Sequence, residues 1–144
     1  MAARVEDFAF HSNADYSMLT CKTGAISAWD SARGFFAVNA AQIIASYAVA
    51  VACAYGFYSR TFSHLNAQYG IATECTTAGY YSWEMANLYA YSATARQCTT
   101  GYYGYYRAYI YGLLTNANNN GNGADYNPAV SDAWGNSNAS ITWS

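Results

Sequence analysis

Residues 75–90 read CTTAGYYSWEMANLYA, and residues 98–113 read CTTGYYGYYRAYIYGL. In the second stretch Gly101, Gly104, Ala108 and Gly112 recur at intervals of three and four. In the first, Ser82, Ala86 and Ala90 recur at every fourth position. Such spacing holds small residues on one face of a helix. It predicts two helices, each carrying a smooth groove. Tyr102, Tyr106, Tyr109 and Leu113 then form an aromatic ridge opposite the groove of the second stretch. A groove and a ridge let a second copy approach closely, as small residues four apart do in packed helix pairs. Each interior glycine costs a helix about 1 kcal/mol against alanine, so packing has to compensate.

Two further copies of the pattern lie upstream. CKTGAISAWDSARGFF starts at Cys21 and CAYGFYSRTFSHLNAQ starts at Cys53. The copies from Cys21 and Cys75 share Trp29 with Trp83, Asp30 with Glu84, and Ala32 with Ala86. The alternation of two registers points to a duplicated helical hairpin. Residues 21–115 contain no proline. The expected fold is therefore mainly α. It is either one long hairpin, over 24–69 and 76–116 with Gly70 as a cap, or a four-helix arrangement broken near Cys53 and Cys98. Residues 1–20 read as an irregular N-terminal arm. Residues 116–144, rich in Asn, Gly and Ser and holding Pro128, read as a C-terminal arm of turn formers.

The four cysteines lack the CxxC spacing of a zinc or redox site. In an up-and-down bundle Cys21 and Cys75 fall at one end, and Cys53 and Cys98 at the other. Two disulfides are expected, each closing a loop of about fifty residues worth roughly 3–4 kcal/mol. Buried free thiols are the alternative. Asn138 opens a glycosylation sequon, Asn138–Ala139–Ser140.

Composition narrows the function. Charged residues make up 10% of the 144 residues, against about 25% in an ordinary soluble domain. Tyrosine contributes 16 residues, and its large ring with a polar tip suits contact surfaces. A chain with so little charge tends to associate. The net charge is −2 and the six Lys and Arg residues are scattered. Direct binding to nucleic acid, which rests on neutralised phosphates, is disfavoured, and only indirect association is expected. Residues 34–59 carry no charge and are long enough to span a bilayer. Asn39, Gln42 and Ser46 interrupt them, so they read as a buried helix, with membrane contact as the alternative. Residues 1–20 show no signal-peptide pattern.

Catalytic signatures are missing from the sequence. His11 and His64 lie far apart, and there is no phosphate-binding loop, dinucleotide fingerprint or metalloprotease motif. No catalytic residue, cofactor, metal or small-molecule substrate is expected, and Asp30 and Glu84 read as members of structural ion pairs. The expected function is that of a self-assembling structural subunit whose partners are copies of itself. A virion major coat protein in a helical or dense shell comes first. A subunit of an extracellular pilus-like filament comes second, and a membrane-embedded assembly protein third.

Overall fold

Four hexapeptides, RGFFAV, YGFYSR, AGYYSW and TGYYGY, follow one pattern. After a glycine comes an aromatic ring, then a second large ring, then a small residue, then a large one. That is period-two alternation rich in aromatic residues, the signature of a strand with one face buried. The computed structural model describes residues 9–13, 17–20 and 26–112 in full, and the strand backbone at 2–4, 8, 116–118, 126–127 and 140–143.

The chain winds as a parallel β-solenoid. Each turn lays down three strands, one on each of three faces. The first turn is β1 (Ala2–Arg4), β2 (Phe8–Asn13) and β3 (Met18–Thr20), and the second is β4 (Ser27–Trp29), β5 (Arg33–Val38) and β6 (Gln42–Ile44). Next come β7 (Val49–Val51), β8 (Tyr55–Arg60) and β9 (His64–Asn66), then β10 (Ile71–Thr73), β11 (Ala78–Trp83) and β12 (Asn87–Tyr89). The series continues with β13 (Thr94–Arg96), β14 (Thr100–Tyr105) and β15 (Tyr109–Gly112), and ends with β16 (Asn116–Asn118), β17 (Tyr126–Asn127) and β18 (Ser140–Trp143). Three six-stranded sheets result: a short face, β1-β4-β7-β10-β13-β16; a long face, β2-β5-β8-β11-β14-β17; and a third face, β3-β6-β9-β12-β15-β18.

The register is strict. Ala28 faces Ala50, Ala50 faces Ala72, and Ala72 faces Ala95, at offsets of 22, 22 and 23 residues. Every interior position therefore becomes a column of like side chains. Phe10, Phe35, Phe57, Tyr80 and Tyr102 form one, with centroids 4.7–5.0 Å apart and planes within 9° of parallel. Ile43, Leu65, Leu88 and Ile110 form a second, fully buried column under the third face. The tyrosine hydroxyls in the core are satisfied: Tyr80 donates to the carbonyl of Thr94 at 3.2 Å and Tyr102 to that of Ala93 at 3.0 Å. Buried Ser63 donates to the Ala37 carbonyl at 2.8 Å and Ser82 to that of Ala86 at 3.0 Å. A buried polar group without such a partner costs about 1–3 kcal/mol.

The corners use a conformation that non-glycine residues normally avoid. Asp30, Ala52, Glu74 and Gln97 stack at the corner between the short and long faces with φ between 48° and 58°. Asn39–Ala40, Thr61–Phe62, Glu84–Met85 and Tyr106–Arg107 turn the next corner, and Tyr47, Tyr69 and Ser92 the third, all left-handed. Each such residue costs about 1–2 kcal/mol. The return is a hydrogen bond to the neighbouring turn: Asp30 N–H to Val51 at 3.1 Å, Phe62 N–H to Glu84 at 3.1 Å, Tyr69 N–H to Tyr91 at 2.8 Å.

Several sequence expectations are overturned. The described residues contain strands and no helix, so neither the long hairpin nor the four-helix arrangement forms. The expected N-terminal arm supplies β1 to β3, and parts of the expected C-terminal arm supply β16 to β18, all paired into the sheets. Residues 34–59 are not one helix but the strands β5 to β7 and most of β8. No helix among the described residues is long and apolar enough to cross a membrane. The interval of three and four between small residues comes from a path that folds inward at each corner.

Gly34, Gly56 and Gly79 set the spacing of the turns. A Cβ on Gly56 would sit 2.6 Å from the carbonyl oxygen of Gly79 and 3.2 Å from Cys75 Sγ. Backbone cannot yield there as a flexible side chain could. Gly56→Ala is expected to destabilise the fold by about 2 kcal/mol or more, the upper part of the overpacking range. Urea denaturation checks this, with exposed Thr76→Ala as the reference. An unchanged midpoint for Gly56→Ala would mean that the glycine column does not fix the turn spacing.

Candidate interaction surfaces

The residues expected to build a helical groove do not lie together. Ser82, Gly101 and Gly104 are buried in the long face, Ala86, Ala90 and Ala108 are buried beside corners, and Gly112 is buried at the end of β15. None offers a groove to a partner. The expected ridge divides likewise: Tyr102 is in the core, Tyr106 stands exposed at a corner and Tyr109 faces outward from the third face. Leu113, Cys21 and Asn138 lie outside the described residues.

Cys53, Cys75 and Cys98 are free and buried. They share one interior column at the corner between the short and long faces, one per turn, so Cys53 and Cys98 are separated by Cys75 and form no bridge. Their thiols donate to carbonyls at long sulfur distances, Cys53 to Val51 at 3.5 Å and Cys98 to Arg96 at 3.4 Å. Burial pushes the Cys53 thiol up, and a hydrogen bond with Cys98, together with burial, pushes Cys75 well up. These are packing residues.

Outward from the long face, a second aromatic layer covers the sheet. Phe36, Tyr58, Tyr81 and Tyr103 follow one another along the axis with centroids 4.8–5.1 Å apart. Tyr55 packs 5.0 Å from Tyr58 and 5.1 Å from Tyr81, and Trp83 and Tyr105 continue beside them. The layer is thick enough to bury Phe36, Val38 and Tyr58 on the outer side of the sheet. Its cations are held within it. The Arg33 guanidinium lies 5.0 Å from the Phe36 ring, and Arg60 lies 4.4 Å from that of Trp83. Arg60 also meets Glu84 at 2.9 Å, and Thr61 donates to the same carboxylate at 2.6 Å. The bonds from Arg60 and Thr61 lower the Glu84 pKa. Burial pushes the Tyr58 hydroxyl up to about 12. Of these aromatic residues none was singled out by helical spacing except Trp83, whose match to Trp29 fails. Trp29 belongs to the short face and Trp83 to the long one.

The third face has a different chemistry. Its outward columns are Gln42–His64–Asn87–Tyr109 and Ile44–Asn66–Tyr89–Tyr111. Primary amides and an imidazole occupy one half, and tyrosines the other. At the corner toward the short face, Tyr47 stacks on Tyr69 at 4.8 Å.

No family model matches the chain, and neither does any curated protein or solved structure. The reading of function therefore rests on these surfaces.

Cys53, Cys75, Tyr58 and Tyr80 each hold their neutral form more tightly folded than unfolded. Their contribution is complete below the unfolded values, about 8.5 for a thiol and about 10 for a phenol, and is lost as pH rises toward the raised folded values. The melting temperature is expected to fall above about pH 9, first through the thiols and then the tyrosines. A melting temperature constant through that range would contradict the burial of these groups. The three described thiols should also be inert to a thiol reagent in the native protein and reactive in denaturant. Rapid native reaction would place them outside the core.

Proposed function

We propose that the chain is a structural, non-catalytic subunit that associates side by side with copies of itself through the aromatic long face. The observation that carries this is the outer layer of Tyr55, Tyr58, Tyr81, Trp83, Tyr103 and Tyr105, with Arg33 and Arg60 folded into it. Aromatic residues and arginine are enriched at the centres of protein interfaces, where lysine and acidic residues are scarce. A solenoid gives such a layer a rigid, repeating backing.

Size favours association with more than one neighbour. Six strands about 4.8 Å apart, each with about six residues of roughly 3.3 Å, make a plane of only about 500 Å². A pair would bury about 1,000 Å², below the ~1,200–2,000 Å² of a stable specific interface. A dense array of copies, each using more than one face, fits this better than an isolated dimer. We place such an array first in a virion and second in an extracellular filament on a cell. Direct contact with nucleic acid has little support, since Arg33 and Arg60 are engaged with rings and, for Arg60, with Glu84.

Sedimentation velocity over a wide concentration range tests the reading. The native chain is expected to associate progressively, and Tyr81→Lys with Tyr103→Lys to stay monomeric with an unchanged far-ultraviolet spectrum. A native chain that is monomeric throughout, or a double variant that associates as the native chain does, would overturn it.

A further inference from the structure

Two depressions of about 400 and 290 Å³ adjoin on the third face and share Gln42 and His64. Phe62, 59% exposed, lines the first, and Tyr89, 40% exposed, lines the second together with Asn66 and Gln68. They make one trough across the face, with an aromatic ring on each flank and amides between. Among the described residues, no carboxylate, ammonium or guanidinium lines either depression.

From this we infer that the trough binds a neutral glycan. A pyranose ring has an apolar C–H face and a rim of hydroxyls, each both donor and acceptor. Primary amides offer donor and acceptor on one flat group, and a neutral imidazole offers one of each. The side-chain amides of Gln42 and Gln68 make no hydrogen bond among the described residues, so both are open to a ligand. Asn66 is preset: its Oδ1 accepts from the Gln68 N–H at 3.1 Å, which turns its NH₂ outward as a donor. His64 lies 3.5 Å from the Asn87 amide through Nδ1, which leaves Nε2 for a ligand.

The aromatic rings distinguish this trough from the long face. There, neighbouring rings lie 4.8–5.1 Å apart, tilted at Phe36–Tyr58, edge-to-face at Tyr58–Tyr81 and stacked at Tyr81–Tyr103, so the space beside each ring is filled by the next and a sugar cannot lie flat on them. Tyr89 is 6.3 Å from Tyr111 and tilted by 48°, so its face is not covered in that way. Stacking a flat ring on such a face is worth about 1–3 kcal/mol in the comparable case of nucleobases. The missing charges select against sialylated, uronic or sulfated sugars, whose recognition calls for cations.

A glycan microarray with neutral, sialylated and sulfated members, followed by calorimetric titration of the best-bound neutral oligosaccharide, tests the site. The native chain is expected to bind neutral members, with affinity unchanged from about 0.05 to 0.5 M salt, because no charge pair is screened. Tyr89→Ala and Gln42→Ala should each weaken binding about tenfold, the equivalent of ~1.4 kcal/mol. Tyr47→Ala, outside the trough, should bind as the native chain does. Both trough side chains are at the surface, so their variants are expected to fold, and an unchanged far-ultraviolet spectrum confirms it. Binding of no neutral glycan, preference for anionic members or for peptides on a parallel array, or full affinity in Tyr89→Ala would each overturn the assignment. The trough lies on a different face from the aromatic layer, so a failure of glycan binding and a failure of association through the long face are read separately.

Discussion

Every residue in the described turns has to coexist with its own counterpart one strand spacing, about 4.8 Å, above and below. That distance falls within the ~4.5–7 Å at which offset aromatic rings stack, so like rings one turn apart pack on each other. It is why Phe35, Phe57, Tyr80 and Tyr102 run nearly parallel. It also explains why a Cβ on Gly34 or Gly56 would fall 2.6 Å from a carbonyl oxygen of the next turn. The same spacing lets the left-handed corners persist, since corner N–H groups such as those of Asp30, Ala52, Phe62, Tyr69 and Glu74 meet carbonyls of the next turn. Strain of about 1–2 kcal/mol per corner residue is set against a hydrogen bond that would otherwise be unmade in a half-buried place.

Stacking that orders the interior also orders the surface, with different results on different faces. On the long face, outward rings follow one another from Phe36 to Tyr103 and pack closely, tilted, edge-on or stacked. The face then acts as a low-charge wall, suited to another wall. On the third face, outward residues change along the axis from Gln42 and His64 to Tyr109, so no continuous stack forms. Depressions remain where a small residue such as Ala40 adjoins a large one such as Phe62. A surface for copies of the chain and a surface for a polar ligand can thus arise from one period of 22 or 23 residues.

That period was legible in the sequence, though its meaning was not. Cys53, Cys75 and Cys98 do mark equivalent positions, and the stretch from each opens one turn of the solenoid in one common register, not the two alternating registers of a duplicated hairpin. Cys21 lies 32 residues before Cys53, outside the period, and aligning on it matched Trp29 with Trp83 across different faces. Small residues three and four apart looked helical because three-residue strands and tight corners bring the chain inward at about that interval: Ser82, Ala86 and Ala90 are all interior, yet in three different segments. The stronger signal was FFAV, FYSR, YYSW and YYGY, in which interior and exterior residues alternate. Corners turned by residues other than glycine hid the turns, since Ala52, Glu74 and Gln97 are not residues that announce a left-handed conformation. The outer aromatic layer was anticipated only as an abundance of tyrosine, because its location depends on which residues share a turn.

Growth at the ends and growth at the sides make different demands on such a fold. A further copy stacked on a terminal turn has to match all three faces at once, the six-residue β2 of the long face included. Sideways contact needs only one face, and there the long face presents an aromatic layer with Arg33 and Arg60 folded into it. Turns interact only with their neighbours, so solenoid stability is roughly a sum over turns and interfaces. A substitution on an outer face changes what the solenoid touches without disturbing the columns inside. Surface chemistry and core packing can therefore vary separately, and the long face can serve contact between copies while the third face keeps its amides free.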